Sequence, residues 1–156
     1  MLPRVLSSSR PSPTGLIDKD GLEAFTKEVY TLSKIDDVNL VTFVGYCLEP
    51  NLLIVMEFVG GGTLSEFVLA QDPVDPPSLE VMMKILTGSA KGLVYLHSTE
   101  PMPILHRDIK SENILLTEEL DPRIADFGEA RAMARDHAMT VVGRFAFYLS
   151  ICVGSL

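Results

Sequence analysis

With 156 residues the chain is long enough for one domain with its own hydrophobic core, and its 47% apolar content excludes wholesale disorder. A formal charge of −8 argues against a general nucleic-acid surface or a surface for anionic membranes, and no apolar run approaches the roughly 20 residues that span a bilayer. Cys47 and Cys152 form neither a CxxC pattern nor a disulfide framework, so a reducing cytosol is the default compartment.

Residues 1–20 begin MLPRVLSSSRPSPTG, which holds prolines and serines without periodicity and reads as a disordered N-terminal segment. Over 21–35 the residues Leu22, Phe25, Val29 and Leu32 recur at spacings of three and four, which predicts an amphipathic helix. Glu28 falls beside that stripe, where it either finds a cationic partner or sits at the solvent edge. Two strands are expected at 40–47 and 52–57, joined through Glu49-Pro50-Asn51, and the second is apolar enough to be buried. Gly60-Gly61-Gly62 lacks the lysine of a phosphate-binding loop and reads as a flexible connector. A short helix at 64–69 is followed by a proline-broken stretch at 72–77. A longer helix spans 78–97, with Ser78 as N-cap and a broad apolar surface in which the methionines pack the core.

The chemistry concentrates in 104–128. His106-Arg107-Asp108-Ile109-Lys110-Ser111-Glu112-Asn113 is a polar loop between the apolar runs Ile104-Leu105 and Ile114-Leu115-Leu116, which reads as two short strands flanking a charged loop. After the Asp121-Pro122 turn, Arg123-Ile124-Ala125 reads as another strand, leading into Asp126-Phe127-Gly128. Asp108 can take a proton from a hydroxyl, while Asn113 and Asp126 offer the hard oxygen ligands that Mg²⁺ prefers. A metal with open positions can in turn hold a polyphosphate.

The order H-R-D-x-K-x-x-N then D-F-G, with Asn113 five and Asp126 eighteen positions after Asp108, resembles the catalytic and magnesium loops of the protein kinase superfamily. Gly45-Tyr46-Cys47 with Val55-Met56-Glu57-Phe58 is similar to the tyrosine-kinase-like group of serine/threonine kinases. The resemblance covers about 21–143 and implies an α+β, protein-kinase-like two-lobe fold, present in part: helix C, two small-lobe strands, the hinge and the upper part of the helical lobe. Residues 144–156 are then an atypical apolar tail.

The implied reaction is transfer of the γ-phosphoryl of ATP, with Mg²⁺, to a Ser or Thr hydroxyl of a protein substrate. Asp108 would orient that hydroxyl and accept its proton, Lys110 would steady the transferred phosphate and favour Ser/Thr over Tyr, and Asn113 and Asp126 would hold Mg²⁺. Met56 would be the gatekeeper, the backbones of Glu57 and Val59 would bond adenine, and Leu115 would form the floor beneath the ring. Glu28 matches the helix-C glutamate that pairs with a strand lysine, and His106 would pack and hydrogen-bond under Phe127. In 129–142, a phosphate on Thr140 would be neutralised by Arg107.

No G-x-G-x-x-G loop or V-A-x-K strand occurs before Gly21, where Lys19 is the one lysine, and no A-P-E follows Gly143. The expectation is therefore a domain truncated at both ends, with little turnover from these residues alone, low stability, and self-association through an exposed sheet edge. The alternative is a non-catalytic kinase-like interaction module. Either reading places the chain in the cytoplasm, without nucleic acid and without a membrane span of its own.

Overall fold

A computed structural model describes residues 19–71 and 76–133. Most of the N-terminal segment, Thr140 and the apolar tail at 144–156 lie outside the described residues. In chain order the elements are helix α1 (Lys19–Leu32), strands β1 (Phe43–Cys47) and β2 (Leu53–Met56), helices α2 (Leu64–Leu69) and α3 (Leu79–His97), strand β3 (Ile104–Leu105), a 3₁₀ turn (Ser111–Asn113), and strands β4 (Ile114–Leu116), β5 (Pro122–Ile124) and β6 (Arg131–Ala132). The strands form antiparallel pairs, β1 with β2, β3 with β6, and β4 with β5.

Helix α1 follows its apolar stripe, but the stripe is buried unevenly. Leu22 is exposed, Phe25 and Val29 are half-buried, and Leu32 is fully buried. Phe25 meets Tyr46 of β1 edge to face, with ring centroids 6.1 Å apart, and so seats the helix on the β1–β2 sheet. The helix begins at Lys19, two residues before the expected start.

Strand β1 is shorter than the expected 40–47 because residues 39–41 are engaged elsewhere. The Val41 N–H donates to the Ile124 carbonyl at 2.9 Å, the Ile124 N–H donates to the Asn39 carbonyl at 2.8 Å, and Leu40 bridges Ile124 in parallel. A backbone segment that spends its donors and acceptors on β5 has none left for β2. The second strand is also not wholly buried: Ile54 and Met56 face the core, whereas Leu53 and Val55 are only half-covered, the alternation of a one-sided antiparallel sheet.

Helix α3 starts at Ser78, whose hydroxyl accepts the Val81 N–H, as the cap expectation required. Its glycines are explained by proximity rather than by bending. A Cβ on Gly88 would lie 2.5 Å from Pro122 Cγ, and one on Gly92 would lie 3.1 Å from Ile124 Cδ1 and from Leu40 Cδ2. Their absence lets β5 and residues 39–41 lie flat against the helix, which Lys84 fastens further through Asp121 Oδ1 at 2.9 Å. The buried core thus runs from Leu32 and Ile54 through Leu93 and Leu96 to Ile124 and Phe127. No helix among the described residues is long and apolar enough to cross a membrane.

Candidate active site

The polar loop after β3 is built around His106, which is only 2% exposed. Its Nε2–H donates to the Ala125 carbonyl at 3.0 Å, so its Nδ1 is left as the acceptor for the Asp108 N–H at 3.4 Å. The ring stands 4.9 Å from that of Phe127, tilted by 59°. Burial holds the imidazole below its ordinary pKa, with the Ala125 bond opposing. With both ring nitrogens engaged, His106 joins the loop to the stretch after β5 and packs against Phe127.

Asp108 is the hub on the outer side of that ring. Its Oδ2 accepts from Lys110 Nζ at 2.6 Å and from Asn113 Nδ2 at 2.9 Å, and the same amide nitrogen donates to the Asp108 carbonyl at 2.9 Å. The hydrogen bond from Lys110 is the first cause that keeps the Asp108 carboxyl below the usual carboxylate range, and the reciprocal interaction raises Lys110. Because Nδ2 of buried Asn113 is committed to Asp108, its Oδ1 is the atom left to accept from, or ligate, something else.

Register brings Asp126 to the same place. β4 and β5 pair Ile114 with Ile124, and one residue beyond that pair the Ala125 N–H donates to the Asn113 carbonyl at 2.9 Å. Asp126 follows with an exposed carboxylate and a φ of +64°, a left-handed conformation that aspartate tolerates better than most residues. Arg107, with φ +71°, is a bulkier residue in the same region. Non-glycine residues there cost roughly 1–3 kcal/mol each and tend to gather at functional sites. Two of the three such residues among the described ones lie here, and the third, Leu120 with φ +63°, lies in the turn between β4 and β5. The Asn113 amide oxygen and the Asp126 carboxylate are hard oxygens of the kind suited to Mg²⁺, which takes few protein ligands and completes its shell with water and phosphate. No cluster of three or more His, Cys, Asp or Glu occurs among the described residues.

The connector from β2 runs beside β4. Met56 and Val59 are buried, and the Glu57 N–H donates to the Thr42 carbonyl at 2.9 Å, which leaves the Glu57 carbonyl as that residue's other backbone group. The glycine run is not the loose connector the sequence suggested. Gly61 N–H donates to the Leu116 carbonyl at 2.8 Å, the Leu116 N–H donates to the Gly62 carbonyl at 2.9 Å, and Thr63 bridges Leu115. A Cβ on Gly61 would come within 2.4 Å of the Thr117 carbonyl oxygen, and Gly62 has φ +78°. The glycines therefore allow two backbones to touch. Thr63 then caps α2 with a capping box, its hydroxyl accepting the Glu66 N–H while the Glu66 carboxylate accepts the Thr63 N–H. As a result Leu115, half-buried, lies directly beside the connector.

Glu28 reaches the region from α1. It is half-buried and its carboxyl is raised, first by desolvation and then by the negative charge of Asp126, with Arg131 opposing. Lys19 is not brought to it: that residue is exposed in the first turn of the same helix. The features that sequence reasoning missed are strand β6, the glycine contacts on β4, and Arg123, whose importance lies in its position beside both Leu115 and Glu57. The only prior signal for the glycines was their clustering.

A family model described as protein tyrosine and serine/threonine kinase matches residues 16–147. Among curated proteins of Arabidopsis thaliana, the chain is 38% identical over 130 residues to a probable LRR receptor-like serine/threonine-protein kinase, covering 78% of this chain and 14% of that protein. It is 40% identical over 119 residues to cysteine-rich receptor-like protein kinase 42, covering 76% and 18%. It is 38% identical over 121 residues to probable serine/threonine-protein kinase PBL23, covering 74% and 31%. The chain therefore spans less than a third of the length of each of these relatives.

Proposed function

Because the chain belongs to the protein tyrosine and serine/threonine kinase family, we propose that its site transfers the γ-phosphoryl of ATP to a Ser or Thr hydroxyl of a protein substrate. The observation that carries this reading is the convergence of Asp108, Lys110 and Asn113 on one carboxylate oxygen, with Asp126 held alongside by the Ala125 to Asn113 backbone bond.

In this reading the substrate oxygen attacks the γ-phosphorus as the bond to the β–γ bridging oxygen breaks and ADP leaves. Asp108 orients the hydroxyl and receives its proton. A carboxylate held below the usual range is a weak base, so most of its contribution is orientation. Lys110, 2.6 Å from Asp108, is placed to steady the transferred phosphate. Asn113 Oδ1 and the Asp126 carboxylate would hold Mg²⁺, which when bound neutralises charge on the phosphates. The Glu57 carbonyl and the Val59 N–H would bond adenine, with Leu115 beneath the ring and Met56 behind it. Residues 21–143 would form the kinase portion, working in the cytoplasm where ATP is available.

One observation favours a second reading, a kinase-like module that binds without turnover. Glu28 faces Asp126 and Arg131, while Lys19 points away on the same helix. Among the described residues, the cation beside Glu28 is then Arg131 and not a phosphate-positioning lysine.

The test is the thermal stability of the whole chain with Mg²⁺ and ATP at about 100 times the dissociation constant, where one-site binding adds about 2.7 kcal/mol. A rise in Tm that needs Mg²⁺ and disappears in Asp126→Ala is the expected outcome. No rise at millimolar nucleotide would remove the site reading. Binding with no labelled phosphate reaching a protein acceptor would favour the module.

A further inference from the structure

The site as read above does not use Arg123, although this residue is the partner of Leu115 across the β4–β5 pair. Its side chain is one quarter exposed. The guanidinium Nε is buried and has no hydrogen-bond acceptor among the described residues. An orphaned donor on a charged group is uncommon enough in native proteins to call for an explanation.

The nearest opposite charge is Glu57, at the start of the connector. Glu57 is fastened to Thr42 twice, by its N–H to the Thr42 carbonyl and by its Oε1 from the Thr42 N–H, both at 2.9 Å. The second bond turns the carboxylate back over the sheet and towards β5. Arg123 Nη1 then stands 4.0 Å from Oε1. That separation is an ion pair but exceeds the length of a charge-assisted hydrogen bond by about 1 Å. A guanidinium offers Nε–H and an Nη–H on one edge, a fork that fits both oxygens of a carboxylate. Nη1 lies on the side of the guanidinium away from Nε–H, so presenting that fork to Glu57 takes a turn of the guanidinium as well as a small approach of the connector towards β5, and the two together would satisfy Nε.

The two elements joined by this pair are also the two that adenine would bridge, the connector backbone on one side and Leu115 on the other. Resting on the nucleotide-site reading above, we propose that Arg123 and Glu57 form a latch behind the connector, closed as nucleotide binds, and that Arg123 is a positioning residue for nucleotide affinity. Two events that draw the same elements together reinforce one another, so closing the latch tightens nucleotide binding and nucleotide tightens the latch.

The experiment is calorimetric titration of the full chain with ATP and Mg²⁺, comparing wild type with Arg123→Met, Arg123→Lys, Glu57→Gln and the Arg123→Met/Glu57→Gln double variant. Arg123→Met keeps most of the stem, Arg123→Lys keeps the charge but not the fork, and Glu57→Gln keeps the acceptor for Thr42. Arg123→Met is expected to weaken binding about fivefold, the low end for coupled sites. Lysine is expected to restore little, and the double variant to bind no more weakly than the weaker single one. The rise in Tm caused by Mg²⁺ and ATP should shrink in the same variants, which a purely structural pair would not cause. Wild-type binding with unchanged affinity in Arg123→Met and Glu57→Gln overturns the latch and leaves the site reading intact. If the wild type itself binds no nucleotide, the site reading falls and the latch with it.

Discussion

Around His106 hydrogen bonds join the segments: the ring bonds to Ala125 and Asp108, Asn113 bonds to Asp108 and Ala125, and the glycine connector bonds to Leu116. Helix α1 contrasts with this. It touches the rest through an aromatic pair, the half-buried Val29 and the buried Leu32, and its half-buried carboxylate Glu28 faces a like charge as well as an opposite one. The lower region is thus held by directional bonds between segments distant in sequence, and the upper by non-directional apolar contact. Directional bonds fix atoms to tenths of an ångström, whereas apolar contact permits a helix to shift at little cost. Phosphoryl transfer needs the first kind of support where atoms react, and tolerates the second where the site is covered.

The contrast can be broken from its strong side first. Asp108→Asn removes the carboxylate on which Lys110 and Asn113 converge, and is expected to lower phosphoryl transfer by about 10²- to 10⁴-fold while the fold survives. Initial rates on a generic Ser/Thr acceptor, alongside an unchanged far-ultraviolet circular dichroism spectrum, would check this. An undiminished rate would mean that Asp108 has no part in the reaction.

A second change targets the framework. Gly61→Ala places a methyl against the Thr117 and Leu116 carbonyl oxygens, backbone atoms that cannot rotate away. The expected loss of stability is about 1–3 kcal/mol, read as a lower urea midpoint. The same substitution at Gly45, where no atom lies within 4 Å of the added carbon, is the control that should not collide. Equal effects at both positions would contradict the claim that the connector is pressed onto β4.

The smallest effect belongs to the weak side. The Glu28 carboxyl is raised above its ordinary 4.5 in the folded chain, so between 4.5 and the folded value the native state holds more protons than the unfolded one. Stability therefore falls as pH rises through that window, and the full benefit of the neutral form is present only below it. Glu28→Gln is expected to be more stable than wild type at neutral pH, by less than about 1 kcal/mol because the group is only half-buried, with the advantage vanishing towards pH 4. Denaturation midpoints at pH 7 and pH 4 would measure it. A constant difference at both would show that the charge is not the cause.

Much of this was legible beforehand because it is local. The period of α1, the Ser78 cap and the short apolar runs at 104–105 and 114–116 each depend on neighbours within a few positions, and the separations from Asp108 to Asn113 and Asp126 singled out the polar loop as the candidate site. What could not be read was any feature whose cause lies far along the chain. Residues 39–41 leave the first strand because β5 takes their hydrogen bonds, and the glycines at 61, 88 and 92 are small because Thr117, Pro122 and Ile124 press on them. Arg123 carries no motif at all, and its interest arises only because β5 puts it beside Leu115 and within 4.0 Å of Glu57. The sequence by itself determined which residue types stand at which spacing, since the acid, the amide and the second acid are written within eighteen positions of one another. Tertiary structure alone decided which backbones touch, because hydrogen bonds and steric contacts depend on distance in space and are blind to distance along the chain.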